Sequence, residues 1–600
     1  MIRVPLILPL GALLLAAPAF AQFDLSGEWG MRQHEDQPER GPGPDLGDYL
    51  GLPINDAARL RADSWDASLM TLPEWQCRPH PADYGTRGPA NLRIWRDVDT
   101  ATQELIAYHT HVSWQAQERT IWMDGRPHPP EWAPHTWQGF STGKWEGNVL
   151  TVTTTHLKES YIRRNGSPRS DMATLTEHWM RHGNVLTLMT VIRDPVYLTE
   201  PLVRTTNWEF DPLQELEPYP CEVGEEVQRA EGVVPHHLPG ANTFLTEFAT
   251  KFSLPFDATR GGAATMYPQY ALTISNGSAA KPAPAPSVKS PEVEAALRQQ
   301  LGDGSVHAVK IRGNLYMLVG GGANITASVG DEGILFVDTG TAEMTAKIAA
   351  AIKAVSPKPI RYVIDTHMHA DHTGGNEAIS QLGATIAGGD VARLESNARE
   401  GAAIIAHENV LKRMSEPEQG QAAAPFKSLP TDTYLGKKKE FFFNDEAVQL
   451  FHQPAAHTDG DSIVFFRRSD VLATGDIFTT TSYPFIDLAH GGSIQGEIDA
   501  LNRILDLTVP AGKEEGGTMV VPGHGRLCDE ADVAYYRDMV TIIRDRIQDL
   551  IRKGQTLEQI KAAKPTRDYD ARWGLDPHWT PDQFVEAVYK SLTTPLSASR

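Results

Sequence analysis

The chain has 600 residues, of which 41% are hydrophobic and 22% charged, and its formal net charge is -21. It is too long for one ordinary domain, so two or three globular units with their own cores are expected. The negative charge is spread without a long acidic block, and no basic tract occurs, which argues against nucleic acid and anionic membrane surfaces as partners.

Residues 1–21, MIRVPLILPLGALLLAAPAFA, place one cation at Arg3 before an apolar core and end in Ala19-Phe20-Ala21, the small-x-small pattern of a signal peptide. Pro5, Pro9 and Pro18 interrupt the apolar run and set it apart from a membrane anchor. No other segment is long and apolar enough to span a bilayer, so no integral membrane segment is expected after signal removal. A periplasmic or secreted location follows. Export permits disulfides: Cys77 and Cys221 can pair, leaving Cys528 over.

Residues 22–212 are dense in Trp and Thr, and runs such as ELIAYHTHVSW, NVLTVTTTHL and NVLTLMTVI alternate at strand length. They predict a β-rich domain, barrel or sandwich. Its opening, FDLSGEWG with Gly27 and Trp29, weakly resembles the start of lipocalin-like barrels. His109 and His111 share one face of a predicted strand, with His128 and His135 downstream among Trp132 and Trp137. Without acidic or cysteine partners at ligand spacing they read as surface histidines on an aromatic β-core. Residues 213–274 form an irregular extension, and the Pro, Ala and Ser of residues 275–291 form a linker.

Residues 292–552 change in texture. PEVEAALRQQL is a predicted helix, and VHAVKIRGNLYMLVGGGANITASVGDEGILFVDTG is a string of strands with glycine turns. AEMTAKIAAAIKAV is a helix, RYVID a buried strand, NEAISQLGA a helix capped by Asn376, and VAYYRDMVTIIRDRIQDLI a long amphipathic helix. Strands followed by alternating strands and helices predict a layered α/β unit. Residues 553–600 form a helical tail in which Thr580 caps a helix that has Pro581 at its first position; the tail is placed to cover an active-site edge or a partner.

The stretch THMHADHTGGN follows the RYVI strand directly. His367 and His369, two apart in an extended loop, project the same way, and Asp371 and His372 face a neighbouring point. That is two ligands for each of two cations, and zinc needs about four. Further ligands stand at other strand ends: His457 in AAHTDGDSIVFF, Asp476 in VLATGDIF and His524 in VVPGHG, where Gly523 and Gly525 let the backbone approach a compact centre.

This ordered set, with Asp338 in FVDTG, resembles the metallo-β-lactamase superfamily over roughly residues 305 to 550. The resemblance implies a four-layer αββα fold, so that the whole is a multidomain chain. It implies two zinc ions, with iron or manganese as alternatives: His367, His369 and His457 on the first, Asp371, His372 and His524 on the second, and Asp476 bridging. Asp338 then orients the ligands from outside. Two divalent ions, less the charges of Asp371, Asp476 and a bridging hydroxide, leave one positive charge for an anionic substrate or oxyanion. The implied reaction is attack by that hydroxide, oriented by Asp371, on a carbonyl of a small-molecule substrate.

Gly475-Asp476 is similar to the hydroxyacylglutathione hydrolases and lactonases, whereas HTDGDSIVFF is closer to β-lactamases. His369 stands where iron-binding redox members carry glutamate, which disfavours a redox role, although persulfide dioxygenases retain a similar ligand set. Export favours a lactam, lactone or other ester over a glutathione thioester. The alternatives are an envelope ligand-binding protein whose N-terminal domain does the recognition, or an iron-dependent persulfide dioxygenase-like activity. His490, on the Gly-rich loop FIDLAHGGS, and His407, in IIAHENV, are candidates for lining the substrate pocket. The sequence leaves the oligomeric state open.

Overall fold

The structure, a computed structural model, describes residues 24–32, 44–87, 90–113, 118–216, 220–225, 227–230, 232–275, 290–384, 401–416, 422–512 and 516–594. The expected signal peptide and nearly all of the 275–291 linker lie outside the described residues.

The N-terminal strands are β1 (Gly27–Met31), β2 (Leu92–Val98), β3 (Leu105–Val112), β4 (Arg119–Trp122), β5 (Phe140–Glu146), β6 (Val149–Thr155), the hairpin β7 (Ser160–Arg163) and β8 (Ser167–Arg169), β9 (Thr174–His182), β10 (Val185–Arg193) and β11 (Leu202–Phe210). All but the hairpin close into a barrel in the order β1-β11-β10-β9-β6-β5-β4-β3-β2. β4 and β5 are parallel, and the other barrel pairs run antiparallel. Alternation decides which face goes inward: Leu186, Leu188 and Ile192 of β10 are buried between half-buried neighbours. Trp29, Trp179 and Trp208 fill the interior with Leu92, Ile94, Val152 and Leu186, so the barrel encloses a packed core. The described residues between 213 and 275 run mostly without regular structure, with short helices at Glu247–Lys251, Phe256–Thr259 and Pro268–Ser275. They are fastened to the barrel domain by the Cys77–Cys221 disulfide and by hydrogen bonds from Arg229 to Thr71 and Ser68.

After the helix Pro291–Gln300 come β12 (His307–Arg312), β13 (Leu315–Gly321), β14 (Ala323–Gly330), β15 (Gly333–Val337), β16 (Ile360–Ile364), β17 (Ala403–His407) and β18 (Asp432–Tyr434), which form one sheet in that order. A second sheet follows: β19 (Lys438–Phe443), β20 (Glu446–Gln453), β21 (Asp461–Phe466), β22 (Val471–Ala473), β23 (Met519–Val521) and β24 (Cys528–Asp529). The two-residue period divides each strand between two cores. Leu335, Val337, Ile364 and Ile405 meet Val448, Leu450, Val464 and Val471 between the sheets. Ile334, Phe336, Val363 and Ile404 face the other way, onto Ile348, Ile352 and Ile379 of the outer helices. The second sheet is covered by the helices Ile494–Leu507, Glu530–Arg552 and Pro581–Thr593. The result is the four-layer αββα arrangement beside a β-barrel.

Thr580 caps the last helix, accepting from Gln583 N with Pro581 in the first turn, as the sequence predicts. Asn376 departs from expectation. Gly375 is the cap and Asn376 the first helical residue. Its amide is buried and donates to Asp365 and Ser428 O while accepting from Thr339, so core hydrogen bonds claim the side chain that a cap would use.

The two halves meet across buried ion pairs and a buried indole–carboxylate hydrogen bond. Lys158 donates to Asp529 and Asp532 at 2.8 Å each, Arg572 grips Asp171 with two bonds of 2.8 and 2.9 Å, and Trp75 Nε1 donates to Asp538 at 2.8 Å. Such pairs gain stability only when fully hydrogen-bonded, which ties the mutual orientation of the halves to side-chain geometry.

Candidate metal centre

Four segments of the αββα unit converge at one edge. β16 delivers Asp365-Thr366-His367 and the turn that carries His369, Asp371 and His372. β22 leads into Gly475-Asp476, and β23 into Gly523-His524. His457 precedes β21. A β-carbon at Gly523 would collide with Asp476 Oδ1, so the close approach of these two loops requires glycine there.

The seven expected residues come together as two groups of four that share Asp476: His367, His369, His457 and Asp476, and Asp371, His372, Asp476 and His524. Within each group the ligating atoms lie within 4.8 Å of one another. Asp476 stands between the groups. Its Oδ2 is 3.9 Å from His367 Nε2 and 3.8 Å from His457 Nε2, while its Oδ1 is 3.1 Å from His372 Nε2 and 3.4 Å from His524 Nε2. The side chains of His367, His372 and His457 are almost wholly buried, whereas that of Asp371 is 40% exposed and reaches His524 Nε2 at 3.2 Å. Asp371 is therefore the carboxylate that an arriving molecule meets.

The outer nitrogens of the rings are held in place. His372 Nδ1 donates to Asp338 at 2.8 Å, and His457 Nδ1 donates to Phe485 O at 2.5 Å. Asp338, at φ +65°, also accepts from Thr366 N and Oγ1, so one carboxylate fixes the strand exit and the imidazole together. His369 Nε2 lies 3.0 Å from Asp487, which also takes His490 Nδ1 at 2.5 Å.

The electrostatics divide the two groups. Burial, then the neighbouring His372, depresses His367, and burial takes His457 down to about 4, so both are neutral imidazoles at pH 7. Burial also opposes charge on His372 and His524, but Asp476 with Asp338 or Asp371 outweighs it; His372 is raised well above its usual value and His524 to about 10. The second group thus concentrates the negative field. His367 Nε2, His372 Nε2 and Asp476 Oδ1 are buried without a hydrogen-bond partner among the described residues. Each such group costs about 1–3 kcal/mol, and a cation among them satisfies all three. The donor set, five imidazoles and two carboxylates, suits zinc.

Residues 318–524 match the family model of the metallo-beta-lactamase superfamily. The C-terminal domain belongs to that superfamily. A curated relative, the 2,4-dinitroanisole O-demethylase subunit alpha of Nocardioides sp. (strain JS1661), is 27% identical over 182 residues, 29% of this chain and 48% of its own. The chain thus spans about half the length of that relative. Among solved structures, the stereoselective inverting sec-alkylsulfatase Pisa1 from Pseudomonas sp. is 17% identical, with 50% of this chain and 52% of that one covered at a TM-score of 0.38. The metallo-beta-lactamase from Pontibacter korlensis is 17% identical, with 39% and 99% covered at a TM-score of 0.30.

Two other expectations resolve differently around this superfamily domain. His490 lies at the rim, one carboxylate away from His369. His407 is not among the converging residues. It caps the helix Glu408–Ser415 by accepting from Asn409 N, and it stacks on His452 at 3.5 Å. Asp487 and Phe485 are functional neighbours that the sequence reading did not name; the only hint was their place on the FIDLAHGGS loop already marked by His490. The Phe485 ring lies 6.0 Å from His369 and 5.7 Å from His457, and Trp579 of the tail packs on it at 4.7 Å. The tail so reaches the edge of the centre.

The N-terminal histidines also differ from expectation. His109 pairs with Asp97 and stacks on Trp95, and His128 bridges Thr155 and Thr142. His135 is not at the surface: it is buried against His156 because β6 and the loop before β5 pair at Thr136 and Leu157.

Proposed function

We propose that the protein is an exported di-zinc hydrolase that cleaves a lactam, lactone or other ester-like bond of a small molecule. The observation that carries this reading is the pair of four-residue groups joined through the two oxygens of Asp476. His367, His369 and His457 would hold one ion, Asp371, His372 and His524 the other, and Asp476 both. When bound, such a pair supplies Lewis acidity and lowers the pKa of a shared water toward neutrality.

The rest is the work of the chain itself. Asp371, exposed at the mouth and fixed by His524, is placed to orient the attacking water and to take its proton. Asp338 keeps the His372 proton on Nδ1, leaving Nε2 as the ligating atom. Asp487 positions His369 and holds His490 at the rim, where that imidazole can meet a polar substrate group. Phe485, 42% exposed beside the histidines and backed by Trp579, offers an apolar wall for the substrate body. Export is supported by the Cys77–Cys221 disulfide, a bond that persists in oxidising compartments.

The test is to purify the mature chain, load it with zinc and assay lactams, lactones, esters and phosphoesters, together with 2,4-dinitroanisole, the compound named for the curated relative. Hydrolysis that disappears in Asp476→Ala supports the proposal; no hydrolysis of any class with both ions bound contradicts it.

A further inference from the structure

A second set of metal-ligating side chains lies in the barrel domain. Glu131 and His135 sit on the loop between β4 and β5, and His156 follows β6. Backbone pairing locks these segments together: Thr136 N donates to His156 O at 2.9 Å, and Lys158 N donates to Thr136 O at 3.1 Å. That register sets the His135 and His156 rings 5.2 Å apart at 72°. His156 holds a backbone φ of +57°, a conformation that non-glycine residues seldom adopt and that is enriched at functional positions. One carboxylate oxygen of Glu131 and one ring nitrogen from each histidine lie within 4.8 Å of one another.

The ring nitrogens are arranged for ligation. His135 Nδ1 donates to Leu157 O at 3.0 Å, which fixes the tautomer and leaves Nε2 a bare lone pair. That Nε2 is buried and has no hydrogen-bond partner among the described residues, and His135 as a whole is 4% exposed. A buried imidazole with one N–H on a backbone carbonyl and its other nitrogen unengaged is the usual setting of a metal-ligating histidine. His156 Nε2 donates to Pro130 O at 3.1 Å, which holds the ring and leaves Nδ1 as the unprotonated nitrogen; Nδ1 accepts from the Thr155 hydroxyl at 2.7 Å and exchanges that bond for the metal. Burial lowers both imidazoles, so both are neutral, the form that ligates.

These residues line a cavity of about 700 Å³ between the barrel and the helix Pro291–Gln300, with Asp171, Asp194 and Glu292 on its other walls. Of the nearby guanidinium groups, Arg526 is paired with Asp532 at 2.8 Å and Arg572 with Asp171 at 2.8 Å, and Arg193 also lines the cavity.

We propose that Glu131, His135 and His156 bind one divalent zinc-class ion whose remaining coordination position opens to this cavity. Two imidazoles and one carboxylate with an open place form a recognised three-ligand zinc set. Tetrahedral bonds of about 2.0 Å put ligand atoms roughly 3.3 Å apart, so the cluster closes slightly on binding. The half-buried Glu131, on its loop, supplies that movement. The ion also braces the domain contact, because Trp132 O of the same loop accepts from Leu527 N at 3.1 Å, three residues beyond His524.

The experiment uses the full chain stripped by chelator, dialysed against Zn²⁺ or Co²⁺, and analysed by elemental mass spectrometry with near-UV circular dichroism as a check on folding. The decisive readout is the number of equivalents removed by His135→Ala, measured both in the wild type and in a His367→Ala/His372→Ala background that disables the centre around Asp476. Loss of one equivalent in both, with a constant weakened at least about 10-fold in the conservative Glu131→Gln variant, the lower bound for losing even a residue that only orients a ligand, is the expected result. No loss in His135→Ala together with an unchanged constant in Glu131→Gln overturns the proposal, whatever the other centre holds. Glu131→Gln, a half-buried loop change, keeps the test decisive should His135→Ala fold poorly.

Discussion

Asp338→Asn separates orientation of a ligand from its presence. The carboxylate accepts from Thr366 N at 2.8 Å, Thr366 Oγ1 at 2.9 Å and His372 Nδ1 at 2.8 Å. Asparagine has the same size and tolerates the φ of +65°, so the strand exit is retained. Its oxygen can still serve Thr366 N, but its NH₂ then faces His372 Nδ1, donor against donor. The conflict resolves when the imidazole moves its proton to Nε2, the atom that points at Asp476, and that tautomer cannot ligate there. Flipping the amide only transfers the clash to Thr366 N. Loss of such an outer partner costs 10- to 100-fold in metal affinity, or about 1.4–2.7 kcal/mol. Zinc titration against a competing chelator, in a His135→Ala background that removes the barrel-domain site, reads the two ions around Asp476 separately. The constant assigned to Asp371, His372 and His524 should weaken by that factor while the other holds. Two unchanged constants would refute the tautomer argument.

His457→Ala and Asp371→Asn should each lower turnover by about 10²–10⁴ with an unchanged melting temperature, and a wild-type rate in either means the site is misassigned. Arg572→Met removes both hydrogen bonds from the buried Asp171 carboxylate, leaving it only Arg526 at 3.6 Å, and should cost about 3 kcal/mol in denaturant unfolding; a change under about 1 kcal/mol would show that the pair does not hold the interface. Glu530 is raised by burial to about 7, although Arg78 pulls it back. Its unfolded value is about 4.3. The folded state therefore retains a proton that the unfolded state releases, and this contribution is full below about pH 4.3 and lost as pH rises through 7. Glu530→Gln should match the wild type near pH 4 and exceed it by about 3–4 kcal/mol at pH 8, as thermal melts across that range will read; equal stabilities at pH 8 would contradict the shift.

The layered α/β character was legible because its strands alternate and its helices are amphipathic; the four-layer αββα order was implied only by the resemblance to the metallo-β-lactamase superfamily. The centre was legible because its residues obey local rules: His367, His369, Asp371 and His372 occupy one turn, and His457, Asp476 and His524 sit at strand ends. What escaped depends on long-range register. Barrel and sandwich share the same alternation, and closure through β1 and β2 or the parallel pairing of β4 with β5 leaves no local trace. Glu131, His135 and His156 are brought together by one bridge across 21 residues, from Thr136 to Leu157, so no spacing rule exposes them. Asn376 read as a cap because the sequence does not reveal the buried partners that claim its amide. The Arg572–Asp171 pair joins residues 401 apart, and only the folded interface explains either charge.

The most direct test of the central claim is to strip the metal from the chain, then add zinc stepwise while following hydrolysis of the substrate panel in wild type and Asp476→Ala. The account predicts no activity without metal, activity that rises as the centre around Asp476 fills, and none in the variant at any zinc level. Hydrolysis by the metal-free chain, or full activity in Asp476→Ala, would contradict it.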